Sequence, residues 1–305
     1  LLAQTDRPIV ISKPGEVRVP KTWDEMLQTP EVDYWMEAVA TEIATLMAMG
    51  TWQVVDRPAN VNVIGCRWVF ALKLNPDGAI ERFKARLVAQ GFTQIAGIDF
   101  SETYAPTSKY ATVRILVDLA VNKGVKLHHM DVVSAFLNGN LREDIYMRQP
   151  PGLAPDQSHN KDAVCKLRKT IYGLKQSGRE WYMALNEFLT TYGFVACPQD
   201  ESLFCLRGGE IVIAVYVDDL LIVAENQKSL DEFKQAVTLK FKIKDLGITT
   251  QFLGMEIRYL DQRYYEPRTR LLLSRDLKLV RLCRLQAGGQ LTGSWSTTTP
   301  TRTDE

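Results

Sequence analysis

Apolar residues recur at helical spacing over Trp35, Ala38, Val39, Ile43, Leu46 and Met47, which predicts an amphipathic helix, and Gly50 stands where such a helix would stop. At residues 67–74 and 80–89 the pattern becomes that of two strands. Between them Asn75-Pro76-Asp77-Gly78 supplies Pro and Gly where a turn needs them, so the pair reads as a hairpin. A helix is expected at 113–122 and a short apolar strand at 125–130, with Asp131 at its end. Trp181, Ala184, Leu185, Phe188, Leu189 and Tyr192 mark a second amphipathic helix, stopped by Gly193. Two β-branched apolar runs, 211–217 and 220–224, flank Asp218 and Asp219 and read as another hairpin. Ser229-Leu230-Asp231-Glu232 has the form of a capping box for a following helix, and 252–259 reads as one more strand. This order packs most naturally as an α+β fold, an antiparallel sheet with helices on one face. The Pro-rich residues 1–20 read as an irregular linker, and the Gly/Thr/Ser-rich stretch 288–305 reads as unstructured.

Composition narrows the function classes. Of the 305 residues 46% are hydrophobic and 24% charged, the balance of an ordinary globular chain with a sizeable core. No apolar run approaches the ~20 residues that cross a bilayer, so no membrane partner is expected. The start lacks the basic-then-apolar layout of a signal peptide, so secretion is not expected, and its lack of Met suits a piece of a longer polyprotein. The five cysteines form no Cys-x-x-Cys pair and the three histidines form no spaced cluster, which argues against zinc. A net charge of +1 is silent about nucleic acid, but its distribution is not. Arg82, Lys84 and Arg86 alternate along a strand and so share one face. Lys166, Arg168, Lys169, Lys175 and Arg179 occur with no acidic residue among them. Any one cluster reads more readily as a solvated face; several around one acidic site suit a phosphate backbone.

The acidic site begins with Tyr216-Val217-Asp218-Asp219. Adjacent carboxylates near a core resist joint ionisation unless a cation neutralises them. Alone, the pair is more readily a solvated acidic turn. Asp131, at the end of another apolar strand, changes the balance, because three carboxylates at adjacent strand ends can hold two magnesium ions. Two such ions ~3.5–4 Å apart activate an attacking hydroxyl and stabilise a leaving phosphate. Oxygen ligands without His or Cys suit magnesium better than zinc.

The chain resembles the reverse transcriptase of copia-type LTR retrotransposons, from near its start to about Tyr259. The resemblance is carried, in order, by Thr51-Trp52, Arg67-Trp68-Val69-Phe70, Lys84 to Phe92, Glu102-Thr103-Tyr104-Ala105-Pro106, Met130-Asp131-Val132 and Ala135-Phe136-Leu137-Asn138-Gly139. Ile145-Tyr146-Met147, Gln149-Pro150, Ile171 to Gln176, Tyr216 to Asp219, Lys244-Asp245-Leu246-Gly247 and Phe252-Leu253-Gly254 continue it. The resemblance implies a right-hand polymerase, with fingers and palm over 21–260 and a degenerate or truncated thumb and tail over 261–305. It implies that Asp131, Asp218 and Asp219 are the catalytic metal ligands for two Mg²⁺, with Mn²⁺ as a substitute. Phe136 would be the steric gate against a ribose 2′-hydroxyl. Lys73, Arg82, Lys84 and Arg86 would grip the triphosphate of an incoming dNTP. Tyr172 and Gly173 would position template and nucleotide, Tyr216 would bind substrate, and Lys175 would touch backbone phosphate or stand as a solvated helix-start lysine. Lys242 or Lys244 would approach the leaving pyrophosphate, and Phe252, Leu253 and Gly254 would form the primer grip. The implied partners are an RNA or DNA template with its primer, dNTPs, and the RNase H and integrase segments of one polyprotein, in a cytoplasmic virus-like particle. The implied reaction is RNA-directed DNA synthesis; the alternative is a relic that binds nucleic acid without extending primers. The sequence departs from the family at Val133, where a basic residue is common, and after about Leu260, where Leu273-Ser274-Arg275-Asp276 echoes the thumb poorly.

Overall fold

The computed structural model describes residues 15, 17–153, 159–206 and 208–259. Most of the expected linker at 1–20, and the expected thumb and tail at 261–305, lie outside these residues. In chain order the elements are α1 (Trp23–Leu27), α2 (Val32–Ala48), β1 (Trp52–Val55), β2 (Val63–Ile64), β3 (Cys66–Leu74), β4 (Ile80–Ala89), α3 (Tyr110–Lys123), β5 (Leu127–Val132), β6 (Asn140–Arg148) and β7 (Val164–Lys169). They continue with α4 (Ser177–Tyr192), β8 (Phe194–Cys197), β9 (Asp200–Leu206), β10 (Ile211–Tyr216), β11 (Asp219–Ala224), α5 (Gln227–Lys240), β12 (Ile243–Ile248), β13 (Gln251–Phe252) and β14 (Met255–Glu256). The described residues fall into two compact units, divided between Ala105 and Pro106, between Val133 and Ser134, and between Leu185 and Asn186; the first unit holds the segments before Pro106 and from Ser134 to Leu185, and the second holds the rest.

In the first unit the expected hairpin forms, β3 pairing with β4 from Cys66↔Ala89 to Leu74↔Ile80. The Asn75 side chain closes the turn by accepting the Ala79 N–H at 2.8 Å. Strand alternation puts Trp68, Phe70, Phe83, Ala85 and Leu87 on one face, and all are buried. Helix α2 covers them: Trp35 sits edge-on to Phe70 and Phe83 at 5.3 and 4.6 Å, and Tyr34 stacks on Phe83 at 5.1 Å. Each ring taken from water contributes about 1.5–3 kcal/mol. A second sheet of this unit runs in the order β1-β7-β6-β2, with its last pair parallel. None of its strands stood out in the sequence. β2 has two residues, too few for a period, and β6 opens on the polar run Asn140-Leu141-Arg142-Glu143-Asp144.

The second unit is built on a six-stranded sheet in the order β12-β5-β11-β10-β9-β8, antiparallel throughout. Helix α3 buries Val113, Leu116 and Ala120 against Leu127, Val212, Ala214, Leu221 and Val223 of one face. The opposite face carries Phe194, Phe204, Ile213 and Ile222, and there Phe233 of α5 meets Phe194 at 5.3 Å. Helices therefore lie on both faces, not on one as the sequence suggested. The reason was visible in the run Leu220-Leu221-Ile222-Val223-Ala224, which is buried at every position; a strand with no polar side is covered on both.

Three further boundaries differ from expectation. Asp131 lies within β5, one residue before its end. The cap of α5 is Asn226, whose side chain accepts from the N–H groups of Lys228 and Ser229, while Ser229 bonds Glu210 instead of capping. Residues 252–259 are not one strand: Leu253 and Gly254, at φ 48° and 77°, turn the chain back so that Phe252 pairs with Met255. Strand β12 went unseen because its pattern is broken by a bulge between Asp245 and Gly247. Asn226→Ala should therefore cost about 1 kcal/mol in urea denaturation, whereas Ser229→Ala should stay within about 0.5 kcal/mol of the parent.

Candidate active site

Register places the carboxylates. In the second unit Asp131 of β5 pairs directly with Asp219 of β11. Asp219 also pairs with Tyr216 of β10, and Asp131 with Lys244 of β12. Paired residues point to the same side of a sheet, so Lys244, Asp131, Asp219 and Tyr216 form one row across four strands. The same face carries Leu127 and Leu221 further along, where α3 covers it. Asp131 and Asp219 are half-buried, and Lys244 and Tyr216 are exposed. Asp218 occupies the two-residue turn between β10 and β11, and its carbonyl accepts the Val132 N–H at 2.8 Å. Val217, its neighbour in the turn, has φ 54°, a left-handed conformation that costs a β-branched residue about 1–3 kcal/mol.

Asp219 has a partner the sequence gave no reason to name. Nε2 of His129 lies 2.7 Å from its Oδ1; because a carboxylate oxygen accepts, Nε2 carries the hydrogen and donates. The His129 ring in turn stands edge-on to Phe252 at 5.2 Å. Phe252 is 2% exposed and belongs to the core under α3, so its side chain packs rather than reaching solvent. Leu253 and Gly254 form the turn beside it.

The donor set fits a hard cation. Asp131 and Asp219 offer only carboxylate oxygens on neighbouring strands, which suits magnesium, an ion that takes few protein ligands and completes its shell with water and phosphate. Among the described residues no three His, Cys, Asp or Glu side chains converge to hold an ion, so the expected three-carboxylate cluster is not formed as such. The structure brings Asp131 and Asp219 together and leaves Asp218 in the adjoining turn. Burial pushes the Cys66 and Cys165 thiols up to about 11 and about 12, away from the thiolate form that a nucleophile needs.

In the first unit the unburied face of the β3–β4 hairpin carries Arg67, Lys73, Arg82, Lys84 and Arg86, with Lys73 directly opposite Arg82. Burial, together with repulsion from Arg86, Lys73 and Arg82, holds the Lys84 ammonium below its ordinary pKa, with Glu42 of α2 opposing the shift. Glu42 is itself pushed up by burial, although it accepts from the Leu87 N–H and lies near Arg86 and Lys84. A face that repels its own charges is relieved by an anion.

Arg86 also lies over the Tyr172 ring, 3.9 Å from its centre, and Phe136 meets the same ring edge-on at 4.8 Å. Three residues expected to bind substrate are thus in one stack. The Tyr172 carbonyl accepts the Ala89 N–H at 2.8 Å, fastening this segment to the end of β4. The approach is so close that a Cβ at Gly173, where φ is 92°, would lie 2.2 Å from the Ala89 oxygen, and one at Gly91 would lie 2.1 Å from the Gly173 oxygen. Behind it, buried Gln176 donates to the Asp99 carbonyl at 2.8 Å and accepts from Gln94 at 3.0 Å, while Gln94 accepts the Lys175 N–H. Sequence reading missed this network: Gln176 stands just before α4 among Lys175, Ser177 and Arg179, where one more polar residue gives no local signal. The Lys175 ammonium is exposed and lies 5.4 Å from the centre of the Phe100 ring.

Residues 49–267 match the family described as reverse transcriptase (RNA-dependent DNA polymerase). The chain is similar to the retrovirus-related Pol polyproteins from transposons RE2 and RE1 of Arabidopsis thaliana, 40% identical to each over 248 residues, which are 78% of this chain and 17% of each relative. It is similar also to the retrovirus-related Pol polyprotein from transposon TNT 1-94 of Nicotiana tabacum, 38% identical over 79% of this chain and 18% of the relative. The chain thus spans under a fifth of the length of these polyproteins.

Lys84 tests the crowded face. Its folded pKa is lowered, so the stability it can supply exists only above the ordinary lysine range and is lost as pH falls through the folded value; at neutral pH the charged group is a net cost. Lys84→Met should raise the melting temperature at pH 7 by about 1–2 °C. The same change should weaken binding of inorganic triphosphate several-fold in calorimetry, by about 1 kcal/mol. A lower melting temperature would rule out the repulsion.

Proposed function

Because the chain belongs to the reverse transcriptase (RNA-dependent DNA polymerase) family, we propose that it catalyses RNA-directed DNA synthesis, joining a dNTP to a primer 3′-hydroxyl on an RNA or DNA template. The observation that carries this reading is the direct pairing of Asp131 with Asp219 beside the strained turn that bears Asp218. Asp131 and Asp219 would hold the divalent ions, with Asp218 adding negative charge from the adjoining turn. When bound, the ions supply positive charge to the reacting phosphate. In this reading the six-stranded sheet is the palm and the β3–β4 hairpin belongs to the fingers.

Each unit supplies chemistry of its own. Lys73, Arg82, Lys84 and Arg86 answer the charge of a triphosphate, with Arg86 held in place over Tyr172. Phe136 meets the edge of the same ring and so has a fixed orientation, which a gate against a ribose 2′-hydroxyl requires. Gly173 lets the backbone at Tyr172 approach β4. Lys244, in the row with Asp131 and Asp219, would neutralise the leaving pyrophosphate, and Lys175 would meet backbone phosphate. Tyr216 closes the row on its exposed side, and the Leu253-Gly254 turn would hold the primer end. We propose also that the chain acts beside RNase H and integrase segments of one polyprotein, in a cytoplasmic virus-like particle.

The test is primer extension on poly(rA)/oligo(dT) with dTTP and Mg²⁺, then Mn²⁺. Asp131→Asn and Asp219→Asn should each lower the rate by about 100- to 1,000-fold or more. Duplex binding with no extension by the parent chain would favour the second reading, a relic that binds without catalysis. Given extension, Phe136→Ala should raise ribonucleotide incorporation by about 10- to 100-fold. Tyr172→Leu should move it the same way by less, and Tyr172→Phe should leave it unchanged.

A further inference from the structure

His129 stands out on its face of the sheet. Its neighbours there, Leu127 along the strand and Leu221 across it, are apolar and buried in the core under α3. The His129 side chain is itself only 13% exposed. A ring nitrogen so far from water needs a partner, and Nε2–H has Asp219 Oδ1 at 2.7 Å. On its other side the ring is braced by Phe252, which leads directly into the Leu253-Gly254 turn.

We propose that His129 is a positioning residue: it fixes the Asp219 carboxylate for a divalent cation and ties it to the hairpin of Gln251–Phe252 and Met255–Glu256. The proposal rests on the reading of Asp131 and Asp219 as cation ligands. A donor on Oδ1 stops the carboxyl group from rotating and leaves Oδ2 with its full capacity to bind an ion. Without the donor, Asp219 would adopt several rotamers, and a cation would have to select one of them. Hydrogen bonds of this kind to metal-binding carboxylates commonly change ion affinity by about 10- to 100-fold. The Phe252 contact adds a mechanical link, because displacement of the hairpin moves the ring that orients the carboxylate.

The test is Mn²⁺ binding to the chain itself, followed by electron paramagnetic resonance, with folding checked by circular dichroism. Asp131→Asn should abolish the tight Mn²⁺ signal. His129→Leu should weaken Mn²⁺ by about 10-fold, and His129→Gln, whose amide can donate from nearly the same place, should restore affinity to within about 3-fold of the parent. Phe252→Leu should weaken Mn²⁺ by less, and its effect should vanish in the His129→Leu background. Should His129→Leu fail to fold, His129→Asn, a donor too short to reach, is read in its place. Equal Mn²⁺ affinity in the parent and His129→Leu, or a glutamine variant as weak as the leucine one, overturns the role of His129 and leaves the cation reading standing. A parent chain that binds no Mn²⁺, or binding indifferent to Asp131→Asn, overturns both.

Discussion

The pairing of β5 with β11 is the constraint on which the rest depends. Asp131 and Asp219 carry like charges, and in solution such groups separate. Here the backbone ladder holds them at directly opposed positions, and no side-chain attraction is needed to do so. The ladder is in turn anchored by strands with apolar residues on both sides, covered by α3 and α5. The buried parts of these strands thus determine the geometry of their polar ends. His129 lies at the boundary between the two, with its ring among apolar neighbours and its Nε2 on a carboxylate.

The first unit shows the same logic with the opposite sign. Five cations share a face of one two-stranded hairpin, and its stability comes from the other face, where Trp35, Phe70 and Phe83 meet. At Lys84 burial first, and then repulsion from Arg86, Lys73 and Arg82, disfavours the charge before any ligand arrives. Arg86 escapes part of that cost by stacking on Tyr172. Both units spend folding energy on holding like charges close, and in both the compensation lies in aromatic and aliphatic packing on the reverse side.

Much of this was legible in the sequence. The hairpin turn at Asn75 to Gly78, the alternation of Arg82, Lys84 and Arg86, and the apolar runs flanking Asp218 and Asp219 are local signals; the first two formed as read, and the runs pair as a hairpin whose turn is Val217-Asp218, with Asp219 already in β11. What was not legible depends on partners distant in sequence. Nothing near His129 announces Asp219, 90 residues away, and nothing near Gln94 announces Gln176, 82 residues away. The short strands β2, β13 and β14 carry no period at all. At α5 a local signal misled: Ser229 has the right spacing for a cap, but Asn226 offers a better acceptor earlier in the chain. Helices on both sheet faces were readable from the unbroken apolar run at 220–224, because a strand with no polar side is covered on both.

The close approach of Gly91 and Gly173 has a consequence for the history of such a chain. The nearest atom at each position is a backbone oxygen, which cannot swing away as a side chain could, so almost any replacement forces strand and loop apart. Every change at the first or second base of a glycine codon replaces the residue. A copy released from selection would therefore lose one of these two glycines by ordinary drift as readily as any surface residue, while a copy still in use could not. Across sibling copies of this gene, the pair works as a clock that starts only when function stops, and in this chain both glycines are present.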